Sequence, residues 1–187
     1  MNVPIYVVGG GPSVKQFDMD KLDGKFVIAV NQSYRICHDA QLIVSMDNRW
    51  YTSVCRKPNY MKHTGQKVMV EPRGYSHTYP HSVRTVVGDW GVTNRGPICT
   101  VDQVSTGNSS GFAAICLALA LTTAQIRLIG FDMNGPYNWH SDYPSNWKPS
   151  DAMQGIQRAY FEWMAIYHGK RILNLNPDSG IKGFRTA

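Results

Sequence analysis

The 187-residue chain carries a net charge of +6, a pI of about 9.2, 43% apolar residues and 17% charged ones. That length fits one domain, or one domain with an insertion, large enough to bury a core without cross-links. The composition excludes a disordered chain. No apolar run approaches the ~20 residues of a membrane span, and the first residues lack the charged start and long apolar stretch of a signal peptide. A cytoplasmic location is therefore expected, with Cys37, Cys55, Cys99 and Cys116 as reduced thiols, since they form no CxxC pair and have no zinc-finger spacing. The basic balance suits nucleotides, sugar phosphates or nucleic acid as partners, or is simply a solvated surface. No run of five like charges marks a basic arm.

In chain order, Val3–Val8 reads as a first strand that runs into Gly9-Gly10-Gly11-Pro12-Ser13, with a helix expected from about Ser13. Lys25–Val30, Gln41–Ser45 and Lys67–Val70 read as the next three strands. Glu71–Val104, rich in Gly, Pro, Tyr and His, reads as an irregular, lid-like insertion. Ser110–Leu121 is apolar on all sides, so it predicts a buried helix, with capping chemistry in the preceding Ser-Thr-Gly-Asn-Ser-Ser. Ile126–Gly130 is the fifth strand, and Phe131–Pro149 an irregular aromatic loop. Ser150–His168 is a helix with one apolar stripe, and Arg171–Leu175 the sixth strand. Near-continuous apolar strands alternating with helices predict one nucleotide-binding domain over residues 1–187. Its fold would be Rossmann-like, a three-layer α/β/α arrangement with a mostly parallel sheet of about six strands.

The glycine turn is the first candidate site. Glycines after a strand allow close backbone approach to a ligand. Pro12 and Ser13 suit a helix start, whose free amides attract phosphate, although a ligand-free tight turn fits the same residues. On the phosphate reading, a side chain at Gly11 would block the nucleotide, with modest loss of stability if the turn avoids positive φ. A dinucleotide fingerprint would need an acid where Asn31 ends the second strand, and a P-loop would need Gly-Lys-Ser/Thr. Neither is present.

Three blocks then carry a resemblance. Val7-Val8-Gly9-Gly10-Gly11-Pro12-Ser13 with Ala29-Val30-Asn31-Gln32 is similar to the opening of the family 42 bacterial sialyltransferases. It is equally similar to the motility-accessory, DUF115-type family that includes archaeal 6-hydroxymethylpterin diphosphokinase. Ser109-Ser110-Gly111 with Ile126-Arg-Leu-Ile-Gly130-Phe-Asp132 is the second block, and Ile172-Leu-Asn-Leu-Asn-Pro177-Asp-Ser179 the third. The resemblance implies a Rossmann-like domain with the nucleotide across the carboxyl ends of the strands. Gly9, Gly10, Gly11, Pro12, Ser13, Asn31, Asp47, Ser109, Ser110 and Gly111 would contact it. It implies His140 as general base, with Asp132 and Tyr137 beside it in the catalytic set. The chain departs from the sialyltransferases at Gly10, at Gly107 in place of an Arg, at Asn134 in place of a Tyr, and at Asp47.

The residues themselves leave His140 open between a base and a loop histidine with a structural hydrogen bond. Asp47 and Asp132 are open between ribose contacts, turn capping and Mg²⁺ ligation. His38, His63, His77, His81 and His168 show no zinc-site spacing. The leading expectation is a nucleotide-dependent transferase resembling a glycosyltransferase, with a nucleotide-activated, possibly CMP-linked sugar as donor, a glycan or nucleic-acid acceptor, and no required cofactor. A Mg²⁺-dependent pyrophosphokinase and a non-catalytic nucleotide or nucleic-acid binder are the alternatives.

Overall fold

A computed structural model of the protein describes residues 1–90, 94–135, 138–140 and 150–187. Among these residues, nine strands form one sheet: β1 (Ile5–Val8), β2 (Phe26–Val30), β3 (Leu42–Ser45), β4 (Gln66–Pro72), β5 (Val83–Asp89), β6 (Gln103–Ser105), β7 (Ile126–Ile129), β8 (Ile172–Asn174) and β9 (Arg185–Thr186). The spatial order is β6-β5-β4-β3-β2-β1-β7-β8-β9, and every pairing between them is parallel. Four α-helices accompany them: α1 (Asn48–Val54), α2 (Pro58–Lys62), α3 (Ser110–Leu121) and α4 (Asp151–His168).

Alternation along the strands sorts the core into two layers. Ile5 and Val7 of β1 face the layer of Phe112, Ile115 and Leu119 from α3 and of Phe161 and Met164 from α4. Tyr6 and Val8 face the opposite layer, which is built from Val14, Leu22, Tyr34, Trp50 and Tyr60. Both faces of the sheet are thus covered, which is why its strands are apolar at nearly every position. The chain steps outward from β1 through β6, and α3 then carries it back to β7 on the other side of β1. Strand order therefore reverses at β1, and ligands in open α/β sheets bind outside the carboxyl ends at such a point.

All six expected strands are present, and three more extend the sheet. The segment Glu71–Val104, expected as an irregular insertion, contains β5, and β6 begins at its end. The helix expected from Ser13 is only a five-residue 3-10 turn, Pro12–Gln16, with no side-chain cap. The helices α1 and α2 lie where no helix was expected. The four cysteines are free thiols. Among the described residues, no helix is long and apolar enough to cross a membrane.

Phe112 joins α3 to α4. Its ring centroid lies 5.5 Å from that of Phe161 and 6.0 Å from that of Tyr160, and it stacks on Trp163 at 6.3 Å. Phe112→Ala should lower unfolding stability by about 3–5 kcal/mol. Ile166→Ala, at a position 77% exposed, should shift it by less than ~0.5 kcal/mol. Urea denaturation of the two variants checks the contrast.

Candidate functional site

The carboxyl ends of β1, β2, β3 and β7 open into a cleft of about 740 Å³. Of the residues expected at a site, Gly9, Gly10, Gly11, Asn31, Asp47, Ser109, Ser110, Gly111, Asp132 and His140 line it. Pro12 and Ser13 do not. Tyr137 lies outside the described residues.

Most amides of the glycine turn are hydrogen-bonded within the protein. Gly9 N–H donates to Ile129 O at 2.7 Å and Gly11 N–H to Gly130 O at 2.8 Å. Ser13 N–H donates to Asp132 Oδ2 at 2.8 Å, and its hydroxyl donates to Asp132 Oδ1. Pro12 has no N–H, so Gly10 holds the one amide of the five-residue turn left for a ligand. The glycines are needed because the turn lies against the end of β7. A Cβ at Gly11 would sit 2.5 Å from Asp132 Oδ2, and one at Gly9 would sit 2.7 Å from Gly130 O. A side chain at Gly11 therefore disturbs the fold as well as any ligand, which corrects the expectation of a modest stability loss.

Asp132 is 6% exposed and also accepts from Asn176 Nδ2 at 2.6 Å. Asp47 caps α1, accepting from the Arg49 and Trp50 amides at 2.9 and 3.4 Å, and pairs with the Arg49 guanidinium at 3.4 Å. The two carboxylates stand at the ends of β3 and β7, three strand spacings apart in the sheet, or roughly 14 Å. Among the described residues, no group of three His, Cys, Asp or Glu side chains is placed to hold a metal.

Two other walls of the cleft carry polar groups. At the end of β2, Asn31 Oδ1 and Gln32 Oε1 are buried with no hydrogen-bond partner among the described residues. Gln32 is only 4% exposed. An unsatisfied buried acceptor costs about 1–3 kcal/mol, which a ligand's N–H or O–H donors would recover. Opposite them, α3 presents its N-terminus. Ser109 Oγ accepts from Gly111 N–H at 3.2 Å, and Ser110 Oγ accepts from Met46 N–H at 3.1 Å, tying the helix start to β3. Ser109, Ser110 and Gly111 line the cleft, so the positive end of α3 faces it, as do the first residues of α1 and the first turns of α4.

The cleft also concentrates backbone strain. Asn31 (φ 51°), Asn108 (φ 55°) and Met133 (φ 55°) are the described non-glycine residues with positive φ, and all three line it. Such strain persists only where the surroundings enforce it, and it clusters at functional sites. Gly107 (φ +49°) is next to Asn108, and a Cβ there would meet the Phe112 ring at 2.4 Å. A side chain there would have to displace the Phe112 ring.

His140 lies on the β7 side, its ring edge-on to Trp139 at 5.1 Å. Trp139 N–H in turn donates to Gly10 O at 2.8 Å, which docks this loop on the glycine turn. Sequence reasoning missed Gln32, Asn176 and a second cleft histidine, His77. Gln32 was legible only as the residue after Asn31. His77 sits in a segment whose composition hid its strands.

No protein-family model and no curated protein matches the sequence. Solved structures are similar at low identity. A MAf glycosyltransferase from Magnetospirillum magneticum AMB-1 is 14% identical with a TM-score of 0.65, and the match covers all of this chain and 34% of that one. The chain thus spans about a third of that protein's length. The sialyltransferase CST-II, solved with a trisaccharide acceptor and CMP, is 15% identical with a TM-score of 0.45, and the match covers 98% of this chain and 85% of that one. The α/β fold expected from the sequence is therefore shared with a glycosyltransferase of known structure.

Asp132→Ala would leave the Ser13 amide, the Ser13 hydroxyl and Asn176 Nδ2 without their acceptor. Stability should fall by on the order of 3 kcal/mol. Ser13→Ala keeps the amide bond and should cost less. Thermal unfolding of the two variants checks the order, and an unchanged midpoint for Asp132→Ala would overturn the assignment.

Proposed function

We propose that the chain is a nucleotide-dependent transferase that moves a sugar from a nucleotide-activated donor, with a CMP-linked sugar the first to test, to a hydroxyl of a glycan or other acceptor. The observation that carries this is the pair of buried, unpartnered carbonyl oxygens of Asn31 and Gln32. They call for a ligand rich in N–H and O–H donors, as a nucleoside and a sugar are. The fold shared with a glycosyltransferase, and the sequence blocks resembling family 42 sialyltransferases, support the same reading.

In this scheme the donor lies across the carboxyl edge of the sheet. The Gly10 amide and the α3 N-terminus face the phosphate and stabilise charge as the nucleotide leaves. Asp132 acts as a positioning residue, because its oxygens hold Ser13 and Asn176. Asp47 holds α1 beside the nucleoside wall. The chemistry assigned to these residues runs without a metal. The acceptor's proton must pass to a group in the cleft, and two imidazoles line it. One is His140, which the sequence resemblance implies, and the other is His77.

Cytidine nucleotides should raise the melting temperature without Mg²⁺. Nucleotide at 100 times its Kd adds about 2.7 kcal/mol. Gln32→Ala should weaken that shift, read against the variant's own unliganded midpoint. A thermal-shift panel of nucleotides and nucleotide sugars, with and without Mg²⁺, is the measurement. ATP stabilisation seen only with Mg²⁺ would replace this reading with pyrophosphoryl transfer. Salt-dependent binding of RNA or DNA without nucleotide binding would replace it with nucleic-acid recognition.

A further inference from the structure

The second cleft histidine is held as a proton acceptor needs to be held. His77 follows β4, and both its backbone N–H, at 2.7 Å, and its ring Nδ1, at 2.5 Å, meet Glu71 Oε1. The Glu71 side chain is 11% exposed and that of His77 39% exposed, so the carboxylate is sheltered while the ring reaches the cleft. Tyr75 stacks on the imidazole with centroids 6.4 Å apart and planes 7° apart, and the Tyr79 ring is 6.1 Å away. Burial, with the Glu71 and Tyr51 charges adding to it, pushes the Tyr79 phenol up to about 12. It therefore stays protonated, and it donates to Asn48 Oδ1 at 3.5 Å.

This contact fixes the tautomer. A carboxylate can only accept, so in the neutral ring the proton sits on Nδ1 and the lone pair on Nε2. No hydrogen bond among the described residues engages Nε2. A base oriented by a third group is the arrangement that activates hydroxyl nucleophiles on unrelated folds. His140 is carried by the loop after β7, which docks on Gly10 through the Trp139 backbone N–H, whereas His77 is carried by the segment after β4.

We propose that His77, oriented by Glu71, is the general base of the transfer, and that the acceptor hydroxyl therefore enters at the β4 end of the cleft. This rests on the sugar-transfer reading given above. The acceptor O–H proton moves to His77 Nε2, and the oxygen's electron pair forms the bond to the anomeric carbon. The bond from that carbon to the phosphate oxygen breaks, and its pair leaves with the nucleotide. The imidazolium formed is stabilised by the Glu71 carboxylate, and its proton passes to solvent. His77 is the catalytic residue in this scheme and Glu71 the positioning residue.

The test uses water as the acceptor and a panel of CMP-, UDP- and GDP-linked sugars as donors, read as nucleotide released by the full chain. His77→Ala should lower kcat by roughly 10²–10⁴-fold with the donor KM unchanged. Added imidazole should restore part of the lost rate, which it would not do for a merely structural histidine. Glu71→Gln should lower kcat less, again without a change in donor KM. His77→Gln, which keeps a donor toward Glu71 but takes up no proton, serves if the alanine variant unfolds. Full turnover in His77→Ala, or a larger loss in His140→Ala, overturns the proposal while leaving sugar transfer standing. Absence of hydrolysis by the wild-type chain with every donor overturns sugar transfer, and this assignment with it.

Discussion

The carboxylate of Asp132 is the interaction on which the cleft depends. It gathers three parts of the chain that are far apart in sequence: the turn after β1 through Ser13, the end of β7, and the C-terminal loop through Asn176. Charge-assisted hydrogen bonds are roughly twice as strong as neutral ones, and burial in low dielectric strengthens them further. The same corner is braced a second time. The Phe131 carbonyl accepts from Asn174 Nδ2 at 3.1 Å and from the Ser179 hydroxyl at 2.6 Å. The turn after β1, the end of β7 and the segment after β8 thus meet at one point, and they meet chiefly through bonds to each other.

That meeting changes what the glycine turn is for. A Gly-rich turn after a first strand usually implies amides offered to phosphate. Here most of those amides are already committed to β7 and Asp132, and the glycines make room for that contact. In the proposed function, recognition falls to the flanks: the amide side chains after β2, the start of α3, and the segment that follows β4. The strained residues Asn31, Asn108 and Met133 mark the same rim. Their left-handed backbone is maintained by the packing beneath them, so the polar groups there are fixed before any ligand arrives.

The central strands were legible because burial on both faces demands continuous apolar runs, as in Ile5–Val8 and Phe26–Val30. The helix α3 was legible for the same reason. β5 was hidden because Val83–Asp89 carries Arg84, Thr85 and Asp89 and lies among turn-forming residues. β6 and β9 have three and two residues, too few to show any period. The segment Pro12–Gln16 looked like a helix start, but it stops at Phe17, and Asp18 caps a separate 3-10 turn, Met19–Leu22. At the site, the glycines, Asn31, the serines before α3 and Asp132 could be named from sequence. Their partners could not, because Ser13 with Asp132 and Glu71 with His77 are pairings made by tertiary contact or by a loop of unguessable shape.

The position of β1 has a consequence for how the molecule is made. One neighbour, β2, follows it closely in the chain, but the other, β7, is about 120 residues downstream in the pairing Ile5 with Ile126. Parallel pairings between such distant segments are slow to form, because loop closure must be completed before any contact rewards it. During synthesis, strands β1 to β6 can associate while one edge of β1 stays open. The Asp132 corner can close only after Asn176 has emerged, so the cleft assembles later than strands β1 to β6. Until then the apolar edge of β1 is a place for mispairing, and chaperone dependence is the expected trait of a chain arranged in this order.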